Sequence, residues 1–336
     1  MHSQSTRWSS ITAQAANPGQ LRSWRRSTSE YHRARGEPAP LRAAIELYRL
    51  IQRHAHDDAH GGWVEHFARD WQPILDTNVH VEVESAGCKS ANTHFHLMEA
   101  FAELAELTRD ADVIRSLAEA LQINQQRFYP RNPNDAVGIR HPDWRPVPGQ
   151  ADAELAYGHN FEFAWLTLRA EKVLGHGPRW ATSRPTSGTP GITVQMPSWA
   201  ACFIAGRGAA RRPRPDKVWR VQAEWLAALT EAAQHNPKPE CVAALAQTAE
   251  FVLKHQADRD GIWFDTVTRD GTPKDTRKAH NLKANYHDVR ASKRGDRGSP
   301  AVAHSTCRVN CPRSSPRHAP QRPGEAATLL EGDRTC

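Results

Sequence analysis

The stretch FHLMEAFAELAELTRDADVIRSLAEALQINQQRF, residues 95–128, decides the fold because its apolar residues recur at i, i+3, i+4 and i+7. This spacing predicts amphipathic helices. The same spacing recurs at residues 40–55, 161–175, 217–234 and 240–256. Strands would alternate apolar and polar residues, and no comparable alternating pattern is present. We therefore predict an all-α fold.

A glycine- and tryptophan-containing segment recurs between these helices. HDDAHGGWVEHFARDWQPI (56–74) turns through two glycines, and DRDGIWFDTVTRDG (258–271) has the same Asp-rich, Gly, Trp order. AVGIRHPDWRPV (136–147) matches the first segment at its Asp-Trp-x-Pro end. Repetition of helix, Gly-Trp hairpin and helix is typical of a closed ring of antiparallel helix pairs. We predict an (α/α)6 toroid, a barrel of helix hairpins, that is incomplete at both ends.

Three segments lack helical spacing and are rich in Arg, Pro, Ser and Gly: residues 1–30, 181–215 and 291–336. The predicted organisation is an irregular N-terminal segment (1–30), a toroid domain (31–290) interrupted at 181–215, and a tail (291–336) that is disordered or translated out of frame. Out-of-frame reading of a GC-rich gene gives such a composition. Reading the nucleotide sequence in the other two frames tests this interpretation.

The positive charge lies outside the regular pattern. The chain has a net charge of +7, but the three irregular segments hold all of the excess, and the remainder is mildly acidic. That remainder offers no basic stripe for phosphates, which argues against nucleic-acid binding. No apolar run is long enough to span a membrane and no secretory signal is found, so we expect a cytoplasmic protein. The six cysteines are scattered, which argues against a disulfide framework.

Two short motifs place a histidine and a carboxylate on one helical face. They are His96-x-x-Glu99 and His159-x-x-Glu162, and residues three apart project from the same side of a helix. Each motif begins an apolar helix, with Asn92 or a glycine upstream as a candidate capping or turn residue. We expect each histidine at the mouth of the helical ring.

A third cluster lies in HNLKANYHDVRA, with His280, His287, Asp288 and Arg290. Histidine suits proton transfer near neutral pH, although most of the 18 histidines must be ordinary surface or capping residues. Paired histidine and carboxylate motifs also fit an iron or manganese site. Their order is the reverse of the ExxH motif of helical metal bundles, so we predict neither a metal nor a cofactor.

These stretches resemble a known family. KSANTHFHLMEAFAEL, YGHNFEFAWLTLRA, KVWRVQAEWLAAL, DGIWFDTVTRDGTP and LKANYHDVRA are similar, in the same order, to signature stretches of the N-acylglucosamine 2-epimerase and cellobiose 2-epimerase superfamily. The resemblance covers roughly residues 31–180 and 216–291. It implies an (α/α)6 barrel, no obligatory metal, and chemistry on an open-chain aldose.

The resemblance also implies a catalytic pair, His159 and His287. One histidine would remove the proton from C2 to give a cis-enediolate, and the other would return a proton to the opposite face. Inversion by deprotonation needs a proton acceptor and a proton donor on opposite faces, and two histidines can serve in either direction.

The resemblance implies four substrate-binding residues as well. Asn92 and His96 would bind the sugar or help to open its ring, Glu162 would support the histidines, and Trp219 would stack on the substrate. From the residues alone, Trp219 fits core packing equally well. Arg220 departs from the family pattern, which has a second tryptophan at this position.

Alternative functions stay open at this point. An aldose–ketose isomerase of the same family uses almost the same histidines, since an enediolate can be reprotonated at C1 or at C2. Glycoside hydrolysis needs two opposed carboxylates, whereas the motifs here pair His with Glu. An inactive or protein-binding relic is the non-enzymatic alternative. We expect a small-molecule sugar as the partner, without nucleic acid or membrane, and a homodimer remains open.

Overall fold

Seven α-helices of at least 13 residues make up most of the chain that the computed structural model describes. It describes residues 31–68, 70–74, 87–129, 137–148, 155–176, 205–206, 216–235, 238–280, 283 and 286–298. The predicted irregular segment 1–30 lies outside these residues. So do all of 181–215 except Ala205–Gly206, and the part of the tail that follows Gly298.

The helices vary between 13 and 18 residues in length. They are α1 (Pro38–His54), α2 (Ala91–Thr108), α3 (Ala111–Ile123), α4 (Tyr157–Val173), α5 (Trp219–His235), α6 (Pro239–Phe251) and α7 (Tyr286–Gly298). A π-helical turn extends α3 over Asn124–Phe128, and another extends α6 over Val252–Gln256. No helix in the described part of the chain is long and apolar enough to cross a membrane.

Four helices, α2, α4, α5 and α7, form an inner layer. Helix α2 packs on α4, α4 on α5, and α5 on α7. Helix α7 reaches back to α2, where Arg290 Nη1 donates to Glu99 Oε1 at 3.0 Å. Helices α3 and α6 lie outside α2 and α5. Helix α1 joins this outer layer through Tyr48, whose ring centroid lies 5.7 Å from that of Phe101 on α2.

The inner helices are buried on nearly every face because their apolar residues are not confined to one stripe. On α2 the buried apolar side chains include Phe95, Leu97, Met98, Phe101 and Leu104. Trp165 on α4 and Trp225 on α5 are buried to 0% and 1% exposure. Both tryptophans belong to the hydrophobic core.

Serine, rather than the predicted asparagine, caps the first of these helices. The Ser90 hydroxyl oxygen accepts a hydrogen bond from the Thr93 backbone N–H at 3.0 Å. Asn92 is the second residue of α2, so the prediction that it caps the helix is wrong. Serine at the N-cap can reach the N–H group two or three residues on, whereas Asn92 already has a helical backbone. Gly158 likewise lies within α4.

Two- and three-residue strands lead into the inner helices. They are β1 (Lys89–Ser90), β2 (Ile139–Arg140), β3 (Leu155–Ala156), β4 (Ala205–Gly206), β5 (Lys217–Val218), β6 (Thr266–Val267) and β7 (Pro273–Asp275). The antiparallel pairs are β1–β2, β3–β4, β5–β6 and β6–β7. Strands β1, β3 and β5 each end where an inner helix begins. Such short strands are too brief to produce an alternating pattern in the sequence.

The predicted repeat is confirmed in backbone detail. In the two Asp-Trp-x-Pro copies, Trp71 and Trp144 both adopt the left-handed conformation, with φ of 68° and 69°. The Trp71 N–H donates to the Ala68 carbonyl and the Trp144 N–H to the His141 carbonyl. The two Gly-Trp copies match as well, since Trp63 and Trp263 each pair in an isolated antiparallel bridge near a helix end.

A buried lysine joins two of these hairpins. Lys89 Nζ donates to Asp57 Oδ2 at 2.8 Å, to the Gly61 carbonyl at 2.6 Å and to the Pro142 carbonyl at 2.7 Å. It also lies 4.4 Å from the centroid of the Trp144 ring. All three ammonium protons therefore have acceptors, which a fully buried charge requires.

The last helix crosses the predicted domain boundary. We predicted that the toroid domain ends at residue 290, but α7 continues to Gly298. Ala291 and Ser292 are buried, and the Ser292 hydroxyl donates to the Asp288 carbonyl at 2.9 Å. The boundary predicted at residue 290 therefore falls inside a helix, and the division into domains stays a prediction.

Candidate active site

Arg290 on α7 lies among three buried carboxylates, each from a different inner helix. Its Nη1 donates to Glu99 on α2 at 3.0 Å, and its Nη2 donates to Glu162 on α4 at 2.7 Å and also to Glu224 on α5. All three glutamates are at most 4% exposed. One guanidinium thus links residues of four helices into a single charged cluster.

His287 is held by a carboxylate within this cluster. Its Nδ1 lies 2.6 Å from Glu224 Oε1, while the other oxygen, Oε2, accepts from Trp165 Nε1 at 2.8 Å. A carboxylate oxygen only accepts, so Nδ1 carries the proton and Nε2 keeps its lone pair. Burial, together with the nearby Arg290, holds the pKa of His287 well below its ordinary value. The His287 ring is therefore neutral, with Nε2 able to accept a proton and Nδ1 bound to the Glu224 carboxylate.

His159 faces a different neighbour. Arg220 Nη1 donates to its Nε2 at 3.0 Å, so in this arrangement Nδ1 carries the proton. Burial and the Arg220 charge lower the pKa of His159 to about 4. The ring is consequently neutral at physiological pH. Its neighbour on the other side is Phe95, with ring centroids 5.6 Å apart.

His96 completes the predicted histidine array. Its Nδ1 lies 3.4 Å from Glu99 Oε2, and its Nε2 lies 3.9 Å from Glu162 Oε1. Glu162 also accepts from the Tyr286 hydroxyl at 3.1 Å. The two predicted His-x-x-Glu motifs therefore meet in space. Burial alone raises the pKa of Glu162, but the neighbouring His96, Arg290 and His287 outweigh burial and lower that pKa.

The two remaining predicted residues lie at the edge of this cluster. The Trp219 ring is nearly buried, with its centroid 5.9 Å from that of His287 and 6.2 Å from that of His280. His280 Nε2 in turn lies 2.9 Å from Asp265 Oδ2. Asn92 is half-buried in the first turn of α2, one turn before His96.

Comparison with known proteins identifies the family. The family model described as N-acylglucosamine 2-epimerase (GlcNAc 2-epimerase) matches residues 82–291. The chain belongs to the N-acylglucosamine 2-epimerase family. This span contains all six predicted site residues, from Asn92 to His287.

Individual relatives agree with this assignment. The chain is 26% identical over 278 residues to the cellobiose 2-epimerase of Bacteroides fragilis, covering 78% of this chain and 67% of that protein. It is 28% identical over 148 residues to a D-mannose isomerase of Pseudomonas cannabina, covering 40% and 32%. The chain thus spans about two thirds of the length of the cellobiose 2-epimerases that it matches.

The predicted fold is confirmed by solved structures. A sugar epimerase from a ruminal bacterium superposes with a TM-score of 0.69 at 23% identity, over 84% of this chain and 72% of that one. The inner and outer helices described above are accordingly part of an all-α (α/α)6 toroid, as the helix and hairpin repeats predicted.

Two groups of potential metal ligands occur in this member of the epimerase family. They are His96 with Glu99 and Glu162, and Glu162 with Glu224 and His287, and the ligand atoms in each group lie within 4.8 Å of one another. Arg290 donates to a carboxylate of both groups. The guanidinium thus supplies the positive charge that these carboxylates would otherwise draw from a cation.

Sequence reasoning missed three members of the site. Glu224 was not singled out, Arg220 was noted only as a departure from the family, and Arg290 was noted without a role. A usable signal was the presence of acidic residues on helices that are otherwise apolar all round, because a buried carboxylate needs a partner. Glu99, Glu162 and Glu224 all fit that description.

Proposed function

We propose that the chain is a sugar epimerase that inverts C2 of an aldose of the N-acylglucosamine or cellobiose type. The observation that carries this proposal is a pair of neutral imidazoles, His159 on α4 and His287 on α7, beside one carboxylate cluster; both helices pack against α5. Both rings lie in first turns, where α4 and α7 begin. Neutral imidazole is the form that can accept a proton from carbon.

The reaction proceeds by proton transfer at C2 of the open-chain sugar. One histidine takes the C2 proton, the C–H electron pair forms the C1–C2 double bond, and the carbonyl π pair moves to O1. The product of this step is a cis-enediolate. The second histidine enters this step as the imidazolium, having taken a proton from solvent. It gives that proton to C2 from the opposite face while an O1 electron pair restores the carbonyl, which inverts the centre, and the first histidine then releases its proton to solvent.

The arrangement around His287 suits this chemistry. When its Nε2 accepts a proton, the imidazolium has Glu224 as a counter-ion at 2.6 Å, so no buried charge is left unpaired. Glu162 lies 3.9 Å from His96 Nε2 and accepts from the Tyr286 hydroxyl, so it helps to orient both side chains. In this proposal His96 and Asn92 bind the sugar oxygens, and Trp219 contacts the sugar ring.

An aldose–ketose isomerase is the second candidate. It shares the first proton transfer, and the enediolate is then reprotonated at C1 instead of C2. The similarity of the chain to a D-mannose isomerase supports this second candidate function. Glycoside hydrolysis is less compatible with the site, since Glu99, Glu162 and Glu224 are all bound to Arg290.

Proton exchange in D2O tests the proposal. Incubation with N-acetylglucosamine, cellobiose and mannose, followed by NMR, should show deuterium entering C2 and should separate the C2 epimer from a ketose. His159→Asn and His287→Asn should each abolish turnover at unchanged helix content. His60→Asn is the matched control, because His60 is exposed on the first hairpin. Epimer formed without deuterium at C2 would contradict the two-histidine mechanism.

A further inference from the structure

Arg220 differs from the other arginine of the site in what it contacts. It is the second residue of α5, half-buried, and its stem passes over Gly158, with Nε 3.8 Å from the position of a Cβ there. Within the described part of the chain its only hydrogen-bond partner is the neutral ring of His159. No carboxylate of the described residues forms an ion pair with it.

The other positively charged or hydrogen-bond-donating side chains of the site already bind groups of the protein. Arg290 binds three carboxylates, and His96 lies against Glu99 and Glu162. Lys283, whose Nζ lies 5.3 Å from the Trp219 ring centroid, donates to the Lys278 carbonyl at 3.0 Å. Of these four groups, Arg220 is the one whose described partner is a neutral side chain, so it can turn to a new ligand without leaving a carboxylate or a backbone carbonyl.

The position of Arg220 indicates what that ligand is. Its charge lowers the pKa of both His159 and His287, although burial contributes more in each case. Its Nη1 also lies 3.0 Å from Nε2 of His159, the atom that must face C2 in the proposed reaction, so the guanidinium lies beside the reacting carbons. A neutral sugar brings no charge there, but an enediolate does. Preorganised cationic donors stabilise an anion that forms only during the reaction.

We propose that Arg220 is the oxyanion-binding residue of this enzyme and that it donates to O1 or O2 of the enediolate. The proposal rests on the proposed C2 proton transfer. In the free protein the Arg220 N–H occupies Nε2 of His159. When the sugar enters, the donor turns to the sugar oxygen and Nε2 becomes free to exchange a proton with C2. No electron donor or acceptor is needed, since the C–H pair moves into the enediolate and returns.

Three variants test this role. Arg220→Ala should lower the rate of C2 hydrogen exchange by about 10²–10³-fold, as the loss of one oxyanion donor commonly does. Guanidinium ion added to Arg220→Ala should restore part of the rate. Arg220→Lys should keep more activity than Arg220→Ala, because the charge remains. Arg115→Ala is the matched control, as Arg115 is an exposed arginine of α3, away from the site.

A second measurement needs no turnover. NMR titration of His159 in the sugar-free protein should show a higher pKa in Arg220→Ala than in the wild type. The other charged groups that act on His159 are Glu162 on its own helix, His96 on α2 and Glu224 on α5, and these are unchanged. An unchanged pKa would show that Arg220 does not contact the ring, and would overturn the proposal.

The outcomes separate this proposal from the one it rests on. Wild-type exchange rates in Arg220→Ala would overturn the role of Arg220 and leave the epimerase proposal standing. A folded but inactive Arg220→Ala that guanidinium does not rescue would mean a structural role, and would also overturn it. Absence of C2 exchange in the wild type, with every sugar tested, would remove the proposed function and this inference together.

Discussion

Replacing Arg290 with methionine should destabilise the protein strongly and in a pH-dependent way. Methionine is close to arginine in length but carries no charge, so Glu99, Glu162 and Glu224 would be left together without their shared partner. The three are 4%, 1% and 0% exposed. Water therefore cannot replace the lost hydrogen bonds.

The expected loss is about 3–5 kcal/mol at neutral pH, the usual result of removing one partner of a buried ion pair. In the wild type the pKa of Glu162 is lowered, which contributes stability above the unfolded-state pKa and is lost as pH falls through the folded-state pKa. Without Arg290, burial prevails and raises that pKa. The folded variant then takes up a proton, so its deficit grows as pH rises.

The size of the pH effect follows from linkage. One carboxylate that stays protonated in the folded variant and ionised in the unfolded chain changes stability by about 1.4 kcal/mol per pH unit. From pH 5 to pH 8 the deficit of Arg290→Met should therefore widen, by at most about 4 kcal/mol for one carboxylate that stays protonated throughout.

Urea unfolding followed by circular dichroism at pH 5 and pH 8 measures this. Arg115→Met is the control, because the Arg115 side chain is 72% exposed and its loss should change stability by no more than about 0.5 kcal/mol. A deficit for Arg290→Met that is the same at both pH values, or below about 1 kcal/mol, would refute the idea that Arg290 neutralises these carboxylates.

Three further predictions concern other parts of the molecule. Gly62→Ala should lower stability by about 2–4 kcal/mol in urea unfolding, because φ is +77° and a Cβ would lie 2.8 Å from both His94 Nε2 and Trp144 Cζ2. His159 has a pKa of about 4 in the folded protein and 6.5 when unfolded, so between these pH values the unfolded chain binds a proton that the folded protein does not. As pH falls from 6.5 to 4, the protein should therefore lose up to about 3 kcal/mol of stability, and His159→Asn should abolish this loss. Activity should survive EDTA, since Arg290 already neutralises the carboxylates; loss in EDTA with recovery on adding manganese would contradict this.

The local part of the site was accessible from the sequence. Spacing of three residues placed His96 beside Glu99, and the structure brings them to 3.4 Å. The tryptophan hairpins were equally readable, because their turn chemistry is local and repeats along the chain. These features depend on neighbours within one helical turn or one hairpin, which a sequence states directly.

The long-range pairing was not accessible. Which carboxylate meets which cation depends on how far each helix is rotated and shifted against the next, and no local pattern encodes that. Glu99 and Arg290 are 191 positions apart, and Arg220 and His159 are 61 apart. The exact helix ends were also missed, because Ser90 and Asn92 are both good capping residues and only the backbone conformation separates them.

The hydrogen bonds of Lys89 affect how the helical toroid unfolds locally. Stacked repeats usually fray from an end, since each unit contacts only its neighbours. Here the Asp57–Gly61 turn and the Pro142 carbonyl both bind the buried Lys89 ammonium. If either hairpin separated from the other, this buried charge would lose hydrogen-bond partners. In native-state hydrogen exchange the amides of the two hairpins should therefore be released together, as one cooperative unit that encloses α2 and α3.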